Sequence, residues 1–124
     1  FDHVGKTARV EAAKLILAKM KELTAGNNFP VVFMGDLNSK PADEPVTLLS
    51  SALDNARAIS AETPYGPADT WNGFKFNQQP NGCIDYIFTG RGTGIKVKKF
   101  ATITDSYDMK YPSDHFPVMA TLQF

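Results

Sequence analysis

Between Lys6 and Leu23 apolar side chains recur at three- and four-residue steps. Ala13, Ile16, Leu17, Met20 and Leu23 share one face, and Arg9, Lys14, Lys21 and Glu22 fall mostly on the other. This predicts a helix that ends in Thr24–Asn28, where Gly26 suits the left-handed position beyond a C-terminus. The period then changes. Pro30 leads into the apolar run Val31–Met34, closed by Gly35, which suits a buried central strand. Glu44–Leu53 predicts a second, short helix. Asn55–Cys83 is punctuated by Pro64, Gly66, Pro67, Gly73, Pro80 and Gly82 and reads as a long loop, a feature that is uncommon in a compact domain and usually functional. Ile84–Phe88 predicts an apolar strand interrupted by Asp85. Gly90–Gly94 turns the chain into a strand over Ile95–Ile103, with Lys96 and Lys98 on one side. A loop, Thr104–Asp114, precedes the strict alternation of Phe116, Val118, Ala120, Leu122 and Phe124 with polar or smaller neighbours. Phe1–His3 reads as the end of a further strand. The order of elements is that of a mixed α/β domain.

Composition narrows the classes without choosing one. A chain of 124 residues with 43% hydrophobic and 21% charged residues fits one globular domain. No apolar run approaches the ~20 residues of a membrane-spanning helix, so no membrane span is expected. The opening residues carry no signal-like segment; any targeting signal is expected upstream, and localisation is not legible. Thirteen basic and thirteen acidic residues cancel, which argues against a non-specific nucleic-acid coat protein. The single Cys83 excludes an internal disulfide and a cysteine zinc cluster.

The chemistry concentrates where polar groups meet strand ends. Asp36 and Asn38 follow Val31–Met34 directly, and a carboxylate leaving a buried strand is costly unless it is paired, hydrogen-bonded or on a metal. Asp85 lies inside an aromatic, apolar strand. Asp114 and His115 stand together before the last strand. Each has a plain alternative: a turn bonded to its own backbone, an edge strand with its carboxylate in solvent, a surface loop with a solvated imidazole. Together they place three carboxylates, one amide and one imidazole beside apolar strands. Parallel or mixed pairing would bring them to one sheet edge. No phosphate-binding glycine loop and no GxSxG elbow competes with them. Hard oxygen donors with one histidine favour Mg²⁺ or Mn²⁺ over Zn²⁺.

At these residues the chain resembles the endonuclease/exonuclease/phosphatase superfamily, the deoxyribonuclease-I-like enzymes. The resemblance runs through the whole chain in order: Phe1–Gly5 with Ala8 and Arg9, then Gly35–Asn38, then Ile84–Phe88, then Ser113–Val118. Thr70–Phe74 also resembles a loop of the bacterial branch that carries a THxDHxG motif. The resemblance implies an α/β fold, a four-layer sandwich with mixed β-sheet and outer helices, of which residues 1–124 match the C-terminal half. The N-terminal half, with an Asn and a metal-binding Glu, would then be a missing partner segment. By the same resemblance the protein is a hydrolase of phosphate esters that depends on Mg²⁺ or Mn²⁺ and works by in-line attack of water. Asp36 would orient or deprotonate that water, and Asn38 would hold it or a phosphate oxygen. Asp85 would support the site by orienting a histidine of the upstream motif, and His115 would contact the scissile phosphate. Asp114 would bind the metal together with Asp36 and Asn38. His3 matches the second histidine of the first motif, a position at the substrate edge.

The remaining candidates are weaker. Trp71, with Phe74 and Phe76, forms either a substrate wall or an anchor for the long loop, and anchoring is the expectation. Arg91, Lys96, Lys98 and Lys99 read as a solvated strand face rather than a phosphate-binding patch, and Arg9 as a structural ion-pair partner. The expected partner is a phosphorylated substrate: a nucleic acid, a phospholipid head group, or a sugar or inositol phosphate. The expected state is a monomer. The rival readings are a non-catalytic binding module that keeps the fold and an inactive fragment of such an enzyme, whose uncovered sheet face would bind a dye for apolar surface.

Overall fold

The computed structural model describes residues 1–124. Helix α1, Lys6–Leu23, leads to strand β1, Val32–Asp36, and helix α2, Glu44–Ala52, leads to the short strand β2, Leu53–Asn55. After the long loop come β3, Asp85–Gly90, β4, Lys96–Thr102, and β5, Val118–Gln123. Two sheets result, one ordered β1-β3-β2 and one pairing β4 with β5. All the ladders are antiparallel, and the one parallel pairing is an isolated bridge between Tyr65 and Ala101.

Alternation along β3 divides the core into layers. Tyr86 and Phe88 face the helices, where Ala13, Leu37, Val46, Leu49 and Leu53 close around them with Phe33, Ile16, Leu17 and Met20. Ile87 faces the other way and meets Ala56, Val97 and Phe100, with Val118, Ala120 and Leu122 beside them. The order is therefore helices, three-stranded sheet, two-stranded sheet. The predicted helix face holds through Met20. Leu23 is exposed, because the inward position of the last turn falls to Thr24, whose hydroxyl bonds the Met20 carbonyl at 2.9 Å. In α2, Pro45 stands in the first turn, where its missing N–H costs nothing.

Two expectations about strands are corrected. The run Val31–Met34 is not a central strand: β1 lies at an edge, and β3 takes the centre. Met34 is 63% exposed although Ile87, its partner across the ladder, is buried, because the core under the two-stranded sheet takes in Ile87 and Val32 and leaves Met34 out. The segment Phe1–His3 forms no strand, but it runs beside this open edge, with the Phe1 nitrogen donating to the Asp36 carbonyl at 2.8 Å. In β4 the register slips by one residue between Val97 and Lys99, so Lys96, Lys98 and Lys99 all reach solvent. Arg91 does not join that face. It bonds Asp54 and the carbonyls of Ser50, Ser51 and Leu53, closing the C-terminal end of α2. Nor does Arg9 form an ion pair; its guanidinium bonds the Asp2 carbonyl at 3.0 Å.

Tyr86 locks the helix-side core to the turn after β1. Its hydroxyl hydrogen is shared between the carbonyls of Ser39 at 2.8 Å and Cys83 at 2.6 Å. Burial, then the neighbouring Cys83, pushes the phenol well above the usual tyrosine range. A raised folded-state value means its stabilising contribution is fully present below about pH 10, the unfolded value, and is lost as pH climbs above it. Tyr86→Phe is expected to cost about 1–3 kcal/mol at neutral pH and to flatten the loss of stability above pH ~10. Denaturant melts at pH 7 and above pH 10 check both, and an unchanged alkaline slope would contradict the assignment.

Candidate active site

The site forms where β1 ends and β3 begins. Antiparallel register sets Asp36 directly opposite Asp85, so both carboxylates leave the same face of the sheet. Like charges in that position repel, and the neighbouring groups answer the repulsion. Asp36 accepts the Asn38 backbone N–H at 2.7 Å and the Asn38 side-chain amide at 3.2 Å. Asn38 sits at a φ of 44°, a left-handed conformation that asparagine tolerates. The same amide reaches the Phe1 carbonyl at 2.8 Å, and the Asn38 side-chain oxygen stays free of protein donors.

Asp85 is held from the other side. Its Oδ2 accepts the Thr70 hydroxyl and lies 2.8 Å from Nδ1 of His115. Thr70 in turn accepts the backbone N–H groups of Ile84 and Asp85, each at 3.2 Å, so it is fixed before it fixes the carboxylate. The side chain of Asp85 is 14% exposed and that of His115 27%, which makes the carboxylate the inner member and the ring the outer one. Burial alone would lower the His115 pKa, but the hydrogen bond to Asp85 and the charges of Asp85, Asp36 and Asp114 outweigh it, and the net shift is upward. With Nδ1 engaged by Asp85, Nε2 is the nitrogen left for a ligand.

One candidate cation site follows. The donor atoms of Asp36, Asp85 and His115 all lie within 4.8 Å of one another. Two carboxylates in register, with Asp85 Oδ1 free of protein donors, suit a hard divalent ion, which would cancel their mutual repulsion. The residues present therefore fit such a group.

Of the residues singled out in the sequence, Asp36, Asn38, Asp85 and His115 converge. Asp114 adjoins them without joining the donor group: its carbonyl accepts the N–H of Asn72 at 2.8 Å and of Gly73 at 3.0 Å. His115 is oriented by Asp85, thirty residues away, and not by its neighbour Asp114; Asp85 accordingly serves this histidine within the chain. His3 is exposed and stands apart, with Asp2 at 3.9 Å. Trp71 lies beside the site, paired across a short bridge with His115. Sequence reasoning passed over Thr70, which is fully buried in a stretch read as loop. Its signal was a threonine before Trp71–Asn72–Gly73 in that stretch, too weak to single out.

Comparison with solved structures gives the same picture. A mannosyl-6-phosphatase from Bacteroides thetaiotaomicron VPI-5482 is 35% identical and superposes with a TM-score of 0.91 over 99% of this chain and 48% of that one. An endonuclease/exonuclease/phosphatase family protein from Bacteroides thetaiotaomicron is 34% identical, with a TM-score of 0.90 over 98% of this chain and 47% of that one. The catalytic domain of human Nocturnin shares the fold at 22% identity, with a TM-score of 0.70 over 96% of this chain and 42% of that one. The chain thus spans about half the length of these relatives. Comparison with curated protein sequences produced no match. The model of the endonuclease/exonuclease/phosphatase family matches residues 2–115, and the chain belongs to that family, with the deoxyribonuclease-I-like α/β fold.

Proposed function

We propose that the protein hydrolyses phosphate esters with the help of a divalent cation, Mg²⁺ or Mn²⁺, and that residues 1–124 supply the second half of its catalytic domain. The observation that carries this reading is the convergence of Asp36, Asp85 and His115 at one end of the sheet. The similarity to a protein named as a mannosyl-6-phosphatase supports it, as do relatives about twice as long. The open edge of β1 and the exposed Met34, Met119 and Phe124 are the surfaces the other half would cover.

Asp36, braced by two bonds from Asn38, can orient a water and accept its proton. The free Asn38 oxygen can take the water's second hydrogen. His115, held by an Asp85 carboxylate that favours its protonated form, can in that form donate from Nε2 to a non-bridging phosphate oxygen where charge builds up. Thr70 keeps Asp85 from turning away when the site is empty. A cation held by Asp36 and Asp85 would supply Lewis-acid stabilisation of the phosphate. Phosphoryl transfer asks for little beyond positioning and charge neutralisation, and these groups provide both.

The test is hydrolysis by the two-part protein of phosphomonoesters and phosphodiesters, with Mg²⁺ or Mn²⁺ and after chelation, alongside calorimetric titration of the ion. Cation-dependent turnover is expected. Absence of both hydrolysis and ion binding would refute the reading.

A further inference from the structure

The aromatic side chains of the loops around the site fall into two groups. Phe76 packs on Tyr111 at 5.4 Å between ring centroids, and Tyr111 sets its edge on buried Phe116 at 4.9 Å. This run ties the loop to the core. Trp71 and Phe74 belong to no such pair; they are 36% and 62% exposed against 42% for Phe76, so ring pairing and not exposure separates the two groups. Anchoring, the role expected for all three loop aromatics, therefore falls to Phe76.

Trp71 is placed against the catalytic histidine by backbone geometry. It stands opposite His115, and the flanking bonds run from Phe116 N–H to the Thr70 carbonyl at 2.7 Å and from Asn72 N–H to the Asp114 carbonyl at 2.8 Å. That is the close, non-hydrogen-bonded kind of antiparallel pair, whose side chains lie together on one face. The indole also lies over Gly73: a Cβ there would come within 2.9 Å of it. The next residue, Phe74, holds a φ of 60°, a left-handed conformation unfavourable for a bulky side chain. The turn imposes it. Buried Asn72 accepts the Phe74 N–H at 2.7 Å and donates to the Ser113 carbonyl at 3.1 Å, while Gly73 N–H bonds the Asp114 carbonyl at 3.0 Å. A strained, over-determined turn that holds an apolar ring in solvent, three residues along from the Trp71 paired with His115, has the character of a binding element.

Charge indicates what the rings receive. The loop segments that form this rim, 69–76 and 105–114, carry Asp69, Asp105, Asp108 and Asp114 against Lys75 and Lys110. A nucleic acid would bring phosphates into a region of net negative charge. A neutral ring bearing one phosphate would bring its charge only to His115 and the cation.

We propose that Trp71 and Phe74 form a stacking platform for the pyranose ring of a phosphorylated sugar whose phosphate is held at His115. The proposal rests on the phosphoesterase reading above and names its substrate class. Phe74→Gly in the two-part protein tests it. Kinetics would be measured on a hexose 6-phosphate, on glycerol phosphate as a ringless control and on a single-stranded oligonucleotide, with calorimetric binding of the hexose 6-phosphate in parallel. Expected are KM and Kd for the hexose 6-phosphate raised about tenfold, an unchanged kcat, unchanged kinetics on glycerol phosphate, and a melting temperature no lower than the parent's, because glycine adopts a positive φ freely. Phe74→Tyr should restore binding. Hydrolysis of both esters with no change in Phe74→Gly would overturn the platform alone. Binding that Phe74→Gly weakens, without hydrolysis of any ester, would overturn the phosphoesterase reading and keep the platform. A parent preference for the oligonucleotide, lost in Phe74→Gly, would replace the sugar by a nucleobase. A variant that melts well below the parent would make Phe74 a structural anchor and overturn the proposal, as would failure of the parent to bind the sugar phosphate.

Discussion

His115→Ala is expected to lower kcat of the two-part protein on a phosphate ester by about 10²–10⁴ while leaving its fold intact. The ring is the outer member of the pair it makes with Asp85, with 27% of its side chain exposed against 14%. Removing it opens little cavity. It also does not strand the buried carboxylate, because the Thr70 hydroxyl remains on Asp85 Oδ2. The loss should therefore fall on the reaction and not on stability. Asp85→Asn gives the complementary result. The acceptor at 2.8 Å from Nδ1 loses the negative charge that favours the protonated ring, so kcat should fall in the same direction with His115 still present. Initial-rate kinetics and a thermal melt on each variant decide the matter. A loss of less than tenfold in His115→Ala would mean that the ring does not touch the phosphate.

Asp36→Asn should separate activity from stability still more sharply. Turnover is expected to drop by at least about 10², because the group proposed to orient and deprotonate the water is gone. Without a divalent cation, however, the variant should melt close to the parent, because relief of charge repulsion is offset by loss of the Asn38 amide bond at 3.2 Å. Asp36 faces Asp85 directly across the ladder, and like charges in that position cost about 0.2–1 kcal/mol. Asparagine removes the charge and keeps one oxygen for the Asn38 backbone N–H, now at 2.7 Å. Adding Mg²⁺ should separate the two. An ion that binds only the folded state raises the parent's melting temperature, and the variant has lost one of the carboxylates that hold it. Melts with Mg²⁺ and with chelator measure both effects. A variant stabilised by Mg²⁺ as much as the parent would remove Asp36 from the cation site.

Both results bear on how the site is built. The two carboxylates, the amide and the imidazole are drawn from segments distant in the chain, and each is held before any substrate arrives: Asp36 by the Asn38 backbone, Asn38 by the Phe1 carbonyl, Asp85 by Thr70 and the imidazole by Asp85. Such advance positioning is what electrostatic catalysis requires. It leaves repulsion between Asp36 and Asp85 that a cation would relieve.

The sequence by itself determined the elements whose signals are local. Helix α1 was legible over Lys6–Leu23, because its pattern depends on neighbours three and four residues away. Strand β5 was legible from strict alternation, and Asp36, Asn38, Asp85 and His115 stood out as polar groups that apolar strands do not normally tolerate. Tertiary structure decided what depends on distant partners. Antiparallel register, which a local pattern does not encode, set Asp36 opposite Asp85. The same pairing put β3 rather than β1 at the centre, where the apolar run Val31–Met34 had suggested otherwise. The partner of His115 proved to be Asp85, because adjacent residues on an extended chain point apart while a carboxylate thirty positions away lies within 2.8 Å. Thr70 became visible only once its loop was folded onto β3, since a hydroxyl in a loop has no periodicity to betray it. Trp71 and Phe74 were legible as aromatic residues, but their separation from the Phe76–Tyr111–Phe116 anchor required the path of two loops that approach each other only in the folded chain.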